Sequence, residues 1–298
     1  MFRKIILTVF LLASGYTYSQ NDGAANTGLA FLKSGVGARE ISMGEAVSSI
    51  TDDGTTVYYN PARLFSGAKN NVTLMHNSSA ADYTIDYIGA KVSWTKFAFG
   101  IGIHSASISD IEIRNSPGAV IDKFTSRDLS IGLSLGYLVN KNISLGVTPK
   151  FLYQKIYLDE ASGMAFDFGA NFNKENVNVS FVVANVGSIN ELRNESTKLP
   201  TYVRFGGSYK TAKGNLSYLI GADGFKVMDG GTFHLHTGAE VGYKETVFLR
   251  AGYQTQYENK NFTAGIGLKY KGLNVDYAFV PYKSEFGSSN SFSLGLTF

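Results

Sequence analysis

Cysteine is absent from these 298 residues, proline occurs only 5 times and tryptophan once. Without cysteine no disulfide framework holds the fold, a condition that suits the bacterial envelope without being diagnostic of it. No proline-rich or charged linker divides the chain, so a single domain is the simplest organisation. After the first twenty residues no apolar run approaches the roughly 18 residues that a spanning helix requires. With 44% hydrophobic residues and a mean hydropathy of -0.03, the chain is too polar for a helical membrane protein. Any bilayer role must therefore rest on strands. Cationic excess is also missing. The formal charge is +3, and Arg3 and Lys4 open what reads as a signal peptide over 1–19, with an apolar run from Ile5 to Ala13 and with Thr17 and Ser19 placed for cleavage before Gln20. Removing those two cations leaves +1, which excludes a basic surface for nucleic acid. No phosphate-cradling loop ahead of a helix, no His-Glu-x-x-His helix and no strand-to-helix Gly-x-Ser-x-Gly elbow supports catalysis, so neither an enzyme nor a cofactor is expected.

What the chain has in quantity is glycine, phenylalanine and tyrosine, at 33, 21 and 18 residues. Leu129, Ile131, Leu133, Leu135 and Tyr137 fall on one face of a stretch whose other face is Ser130, Gly132, Ser134 and Gly136. That two-residue period describes a strand with unlike surroundings on its two sides. Similar stretches are read at 71–79, 84–94, 96–106, 126–139, 142–156, 162–173, 177–186, 200–211, 214–223, 233–243, 246–256, 261–270, 272–280 and 290–298. Tight turns are expected at Thr95-Lys96, Asn140-Lys141, Lys174-Glu175-Asn176, Ala212-Lys213-Gly214, Lys244-Glu245 and Lys271-Gly272. The remaining connectors are mostly longer, notably 107–125, 187–199, 224–232 and 281–289. A soluble sheet has no need to sort its connectors by length, whereas outer-membrane barrels combine short periplasmic turns with longer outside loops. The expected fold is all-β: a closed antiparallel transmembrane β-barrel of about fourteen strands (71–298), its apolar face on outer-membrane lipid. Trp94, Tyr137, Phe172, Tyr209, Tyr243 and Tyr270 lie close to tight turns, where amphipathic rings favour the headgroup level. The last stretch, Phe292, Leu294, Leu296 and Phe298, resembles the C-terminal signal read by the barrel assembly machinery.

By strand parity Lys91, Lys150, Arg204, Arg250 and Lys269 point inward, together with Asp167, Asp223, Glu240 and Asp276. Facing acyl chains, such residues would cost a few kcal/mol each near the midplane. Enclosed, they can pair with one another, and a structural network is a simpler reading than a transport path. Residues 20–70 differ from the rest, with small residues, one acidic pair and no sustained alternation, and read as a hatch or plug that a barrel of this size can enclose. In that segment Arg39 is placed to bridge lumen carboxylates, and Asn60-Pro61 is turn chemistry. Asp52-Asp53 lacks the ligand spacing of a calcium loop and suits a turn or a cap. His234 and His236 share a strand face with Glu240, but two imidazoles at that spacing are a weak metal signal and no metal is assigned.

Phe31-Leu32-Lys33-Ser34-Gly35-Val36-Gly37-Ala38-Arg39, then Met43-Gly44-Glu45-Ala46, Asp52-Asp53 and Tyr58-Tyr59-Asn60-Pro61-Ala62, resemble the N-terminal signature of the PorV/PorQ family of Bacteroidota outer-membrane proteins. That family is similar in turn to FadL-type barrels, whose fold is a fourteen-stranded barrel with an N-terminal hatch carrying an Asn-Pro-Ala turn. The resemblance implies a non-catalytic component or accessory of type IX secretion in a Gram-negative outer membrane, with secretion components or cargo signal domains as partners. Two departures stand out: Arg63 follows Asn-Pro-Ala where glycine is frequent in the wider group, and the outside loops are modest for direct cargo handling. The alternative is a FadL-like channel for hydrophobic small molecules, with a lipid-like ligand in the lumen. An uptake channel should hold an apolar pocket continuous from the loops to the hatch. A partner-binding barrel should expose an apolar rim patch over a closed lumen. Loop 107–125 carries Ile108, Ile111, Ile113, Val120, Ile121 and Phe124, enough apolar surface for either task. The N-terminal signature favours the secretion reading.

Overall fold

Fourteen antiparallel strands close into a barrel, each hydrogen-bonded to its neighbours in sequence, with the first paired to the last. The computed structural model describes residues 26–79, 82–283 and 287–298, so the leader expected at 1–19 lies outside the described residues. The strands are β1 (Asn70–Ser78), β2 (Tyr83–Ser93), β3 (Phe97–Ile113), β4 (Asp122–Asn140), β5 (Ile143–Ile156), β6 (Asp159–Lys174), β7 (Val177–Ile189), β8 (Tyr202–Lys213), β9 (Leu216–Val227), β10 (Phe233–Tyr243), β11 (Val247–Gln254), β12 (Phe262–Tyr270), β13 (Leu273–Pro281) and β14 (Ser288–Thr297). Closure runs from Asn71 opposite Thr297 to Ser78 opposite Asn290.

Each stretch expected from alternation is a strand, and the largest boundary difference is at 107–125, where β3 runs on to Ile113 and β4 begins at Asp122, leaving 114–121 as the loop. After a bulge at Asp110, where φ is 57, Ile111 pairs with Phe124 and Ile113 with Asp122. The bulge breaks the two-residue period, and this concealed the strand in the sequence. Ile108, Ile111, Ile113 and Phe124 therefore stand on a projecting hairpin, leaving Val120 and Ile121 near its tip. The connector pattern needs one correction as well. Between β5 and β6 only Tyr157 and Leu158 intervene, at the end where most connectors are long.

Turns at the opposite end are the short kind. Lys244 and Glu245 have φ of 50 and 51, and Lys271 and Gly272 of 47 and 86. Two successive left-handed residues match the right-handed twist of the flanking strands. By the usual asymmetry of connectors this is the inner, periplasmic end. Trp94, Tyr137, Phe172, Tyr209, Tyr243 and Tyr270 all point outward near it. On β10 the outward rings of Phe233 and Tyr243 are ten residues apart, a rise of about 26 Å at about 3.4 Å per residue and a tilt of about 40°. That span matches the apolar band of an outer-membrane barrel. Between the girdles, side chains such as Leu133, 58% exposed, cover the outer wall. An exposed apolar belt of this extent marks a membrane-facing surface, and closure satisfies the wall amides without water.

Inside the wall lies the N-terminal segment. It folds into a 3-10 turn (Ala30–Lys33), two single-turn helices (Ala38–Ser42 and Thr56–Tyr59) and a second 3-10 turn (Pro61–Phe65). Helices this short do not persist unaided, so their shape comes from packing against the barrel. Glycine permits the closest approaches. A Cβ added at Gly146 would lie 2.3 Å from the carbonyl carbon of Pro61, and one at Gly252 would lie 2.1 Å from the Gly44 nitrogen. The segment enters from the outer mouth, where Gly28 N donates to Lys198 O at 3.0 Å. It leaves at the inner mouth, where the Lys91 ammonium donates to Ser66 O before β1 begins.

Candidate functional site in the lumen

Most of the inward charges meet either the plug or each other. Arg39 Nη1 donates to Asp52 Oδ1 at 2.6 Å, and its Nε donates to Glu240 Oε2 at 3.2 Å. Arg250 Nε reaches the same Glu240 oxygen at 2.6 Å, and its Nη1 donates to Asp276 Oδ1 at 2.6 Å. One chain of alternating charges thus ties the plug to β10, β11 and β13. Asp223 accepts from the Val47 and Ser48 amides at 3.0 and 2.8 Å, while Arg204 Nη1 donates to Glu45 O at 2.5 Å and stands 3.5 Å from Asp223. Lys150 pairs with Asp167 at 2.7 Å, beside a bulge in β7 where Asn185, with φ of 60, donates its amide to Asp167 Oδ1. Lys269 differs from the sequence expectation, because it lies exposed at the inner mouth. Parity gave its side of the sheet but not its distance from the end of the strand.

Two plug carboxyls are held ionised. Burial alone would raise Glu45, but Lys260, His236 and Arg204 outweigh it and bring the carboxyl to about 2. Asp52 is likewise opposed by burial and brought to about 2, chiefly by Arg39.

The signature residues shape and seat the plug. Gly35 packs against the Tyr59 hydroxyl and Glu45, leaving no room for a side chain. Gly37 takes a φ of 82 that favours glycine, and its amide points to the Met75 sulfur at 2.9 Å. Ala38 N donates to Ser293 Oγ at 2.7 Å, and Gly44 N to Thr263 Oγ1 at 3.0 Å, with Met43 fully buried between them. Asp53 accepts from the amide and hydroxyl of Thr55, as a turn residue does. Asn60 Oδ1 caps the second 3-10 turn by accepting from Ala62 N, Pro61 occupies the turn's first position, and Asn60 Nδ2 donates to Ser48 O. Arg63 donates to Thr51 O and to Asn171 and Asn178 of the wall, a plug-to-wall contact that glycine at this position would lack.

The weaker motifs dissolve on inspection. Glu240 is engaged by two arginines, whereas His236 Nε2 faces the Tyr257 hydroxyl at 3.0 Å, and no metal-holding group occurs among the described residues. Gly132-Leu133-Ser134-Leu135-Gly136 spells Gly-x-Ser-x-Gly, but it lies within β4 and Ser134 shares a hydrogen bond with Thr148 at 2.6 Å. Without a strand-to-helix turn it is not a nucleophile elbow.

Parity alone did not reveal an apolar sector in the outer part of the lumen wall, beside the polar Arg204, Asp223, His236 and Gln254 of β8 to β11. Towards the inner end its wall is polar. Towards the outer end Met75, Ile85, Tyr87, Ala106, Leu152 and Val280 face inward and pack on Leu29, Phe31, Leu32 and Val36 of the plug. These residues come from five strands, one or two from each, with His76, Thr84, Asp86, Ser105 and Ser107 on the outward positions beside three of them, so no single stretch announces the patch. Gaps remain between plug and wall: about 80 Å³ of mixed lining beside Ser34, Ile85 and Lys260 near the outer mouth, about 100 Å³ among Arg39, Asp53, Glu240 and Asp276, and about 410 Å³ beside Arg63, Asn171 and Asn178 at the inner mouth. On the lipid face, an apolar groove of about 820 Å³ runs across β1 to β5, from Val72 to Pro149.

No protein-family model matches the sequence, and no curated protein matches it. Solved structures do match. The chain is similar to the Pseudomonas putida toluene transporter TodX at 11% identity, covering 89% of this chain and 99% of that one with a TM-score of 0.62. It is similar to the CymD monoaromatic hydrocarbon channel at 12% identity, covering 89% and 98%, with a TM-score of 0.61. A Pseudomonas aeruginosa FadL homologue matches at 14% identity over 85% and 95%, with a TM-score of 0.52. At these identities the likeness is one of fold: the chain has the architecture of FadL-like outer-membrane barrels. A PorV/PorQ assignment does not follow from any of them.

Proposed function

We propose that the chain is a non-catalytic outer-membrane barrel that admits small hydrophobic molecules from the outer face, with the seated plug as its closed state. The observation that carries this reading is an apolar sector of the inner wall near the outer mouth. A water-filled porin lines its interior with polar residues, whereas here Met75, Ile85, Tyr87 and Leu152 face the lumen and are covered by the chain's own Leu29, Phe31, Leu32 and Val36. A solute of similar character enters in exchange for that segment. Two exits are available to it, past the plug or through the wall. Pro149 has no amide hydrogen, and pairing of β4 with β5 omits Leu133 and Ser134 opposite Thr148 and Pro149, beneath the lipid-side groove. The names of the similar barrels, a toluene transporter and a monoaromatic hydrocarbon channel, agree with this class of solute. Entry of the apolar fluorophore N-phenylnaphthylamine into cells with an intact lipopolysaccharide leaflet tests the proposal. Cells producing the barrel take it up faster than cells lacking it, and equal rates overturn the reading.

A second reading, an accessory of type IX secretion, has its own support in the outer rim. The β3–β4 hairpin presents Ile121, 61% exposed, and its Phe124 ring meets Tyr157 of the β5–β6 turn at 5.4 Å centroid to centroid, beside the exposed Leu158. Together with the N-terminal signature, this patch suits a protein partner. A photocrosslinker at Ile121 recovers a secretion component or a cargo signal domain if this reading holds, and lipid alone if it does not.

A further inference from the structure

His104 projects from β3 into the lumen, is 2% exposed, and has no hydrogen-bond partner on either ring nitrogen. A neutral imidazole carries one donor and one acceptor, and burying both unpaired is costly enough to call for an explanation. Its surroundings are aromatic. The Phe31 ring lies 4.9 Å away centroid to centroid, Tyr58 stands edge-on at 5.2 Å, and Tyr87 at 6.4 Å. Three of these four rings belong to the wall or to the deeper plug. Phe31, 1% exposed, is supplied by the strap that enters from the outer mouth.

That strap is held by burial of Leu29, Phe31, Leu32 and Val36 and by hydrogen bonds outside the strand ladders, the Val36 amide to the Tyr59 hydroxyl at 3.0 Å among them. Leu29 holds a left-handed φ of 46 just ahead of Phe31, a strained conformation for a leucine. Tyr58 donates its hydroxyl to Leu32 O at 3.0 Å and to Ser34 O at 2.7 Å, and Gly28 N binds Lys198 O. None of these bonds belongs to a strand ladder, so the strap can lift towards the outside with the barrel wall unchanged.

We propose that Phe31 is a tethered stand-in for a ligand, and that the site beneath it takes a monocyclic aromatic molecule carrying one hydrogen-bonding group. The ligand's ring occupies the position of Phe31 against Tyr58 and Tyr87, and its polar substituent satisfies His104. This inference rests on the channel reading above and adds a solute preference and an internal competitor. Removing a buried side chain can leave a dry cavity that accepts a free aromatic ring, so truncating Phe31 exposes the site directly.

The test uses the full-length barrel in detergent with phenol and toluene as probes, followed by calorimetry. Phe31→Ala binds phenol at least about tenfold more tightly than the parent protein, and prefers phenol to toluene; Phe31→Ala combined with His104→Leu loses that preference. A folded Phe31→Ala barrel that fails to saturate with phenol overturns the proposal, as does a phenol preference that survives His104→Leu. If Phe31→Ala does not fold, Phe31→Leu makes the same comparison with a smaller cavity. Saturable phenol binding without faster N-phenylnaphthylamine entry would sink the channel reading and leave the site intact. Faster entry with no phenol saturation would do the reverse.

Discussion

Adding one methyl group at Gly146 should unseat the plug, whereas the same change at Gly207 should not. Both residues lie within strands, Gly146 facing inward on β5 and Gly207 outward on β8. At Gly146 the new Cβ would sit 2.3 Å from the Pro61 carbonyl carbon and 2.6 Å from Ala62 N. Ordinary contact is near 3.4 Å, so the 3-10 turn Pro61–Phe65 must retreat by about 1 Å, and the obstacle on each side is backbone, which does not yield as a side chain does. Overpacking of this kind costs about 1–3 kcal/mol. Against it stands about 0.5–1 kcal/mol gained by replacing glycine in a strand. Gly146→Ala therefore loses up to about 2.5 kcal/mol, and lies about 1–3 kcal/mol below Gly207→Ala. Gly207→Ala, whose nearest neighbour would be Asn178 O at 3.7 Å, keeps the gain with little cost. Thermal unfolding in detergent reads the difference: at about 2 °C per kcal/mol for a domain of this size, Gly146→Ala melts up to about 5 °C below the parent and about 2–6 °C below Gly207→Ala, which melts at the parental temperature or slightly above. Equal shifts for the two variants would refute the seating of the plug against this wall.

Three further outcomes follow from the same contacts. Leu133→Arg, in the middle of the outer face, costs about 2–4 kcal/mol in lipid, whereas Ile121→Arg at the hairpin tip stays within about 0.5 kcal/mol; urea titration of both in vesicles separates lipid-facing from solvent-facing positions. Arg39→Met removes the bridge between Asp52 and Glu240 and loosens the plug by about 1–3 kcal/mol, seen as faster amide exchange over 37–55 with exchange in the strands unchanged. Glu45 lies below its ordinary 4.5, at about 2, so its stabilisation is complete above 4.5 and is lost as the pH falls through 2. Plug protection in the parent protein therefore declines across that acid window, and Glu45→Gln flattens the decline.

Alternation made the wall legible because lipid and lumen impose opposite preferences on successive side chains. β10 ends where its pattern ends, at Phe233 and Tyr243. The pattern fails where a bulge inserts a residue, as at Asp110. It also gives the side of the sheet and not what gathers there, so the inward patch of Met75, Ile85 and Leu152, drawn from three strands, was not foreseen. The plug has no period to read, and only its chemistry showed: Asn60-Pro61 as a cap, Arg39 as a bridge between carboxylates. His104 carried no signal in the sequence, since an inward histidine on a strand is unremarkable until the rings around it and its lack of a partner are known.

The decisive observation uses the single tryptophan. Trp94 lies outward at the inner girdle, 57% exposed, in a chain with no other indole to confuse the signal. In vesicles of brominated lipid its fluorescence is quenched strongly by bromine placed near the headgroups and weakly by bromine near the acyl ends, with a blue-shifted emission maximum. Emission at the wavelength of a water-exposed indole, unaffected by bromine at either depth, would contradict the assignment of the apolar face to lipid.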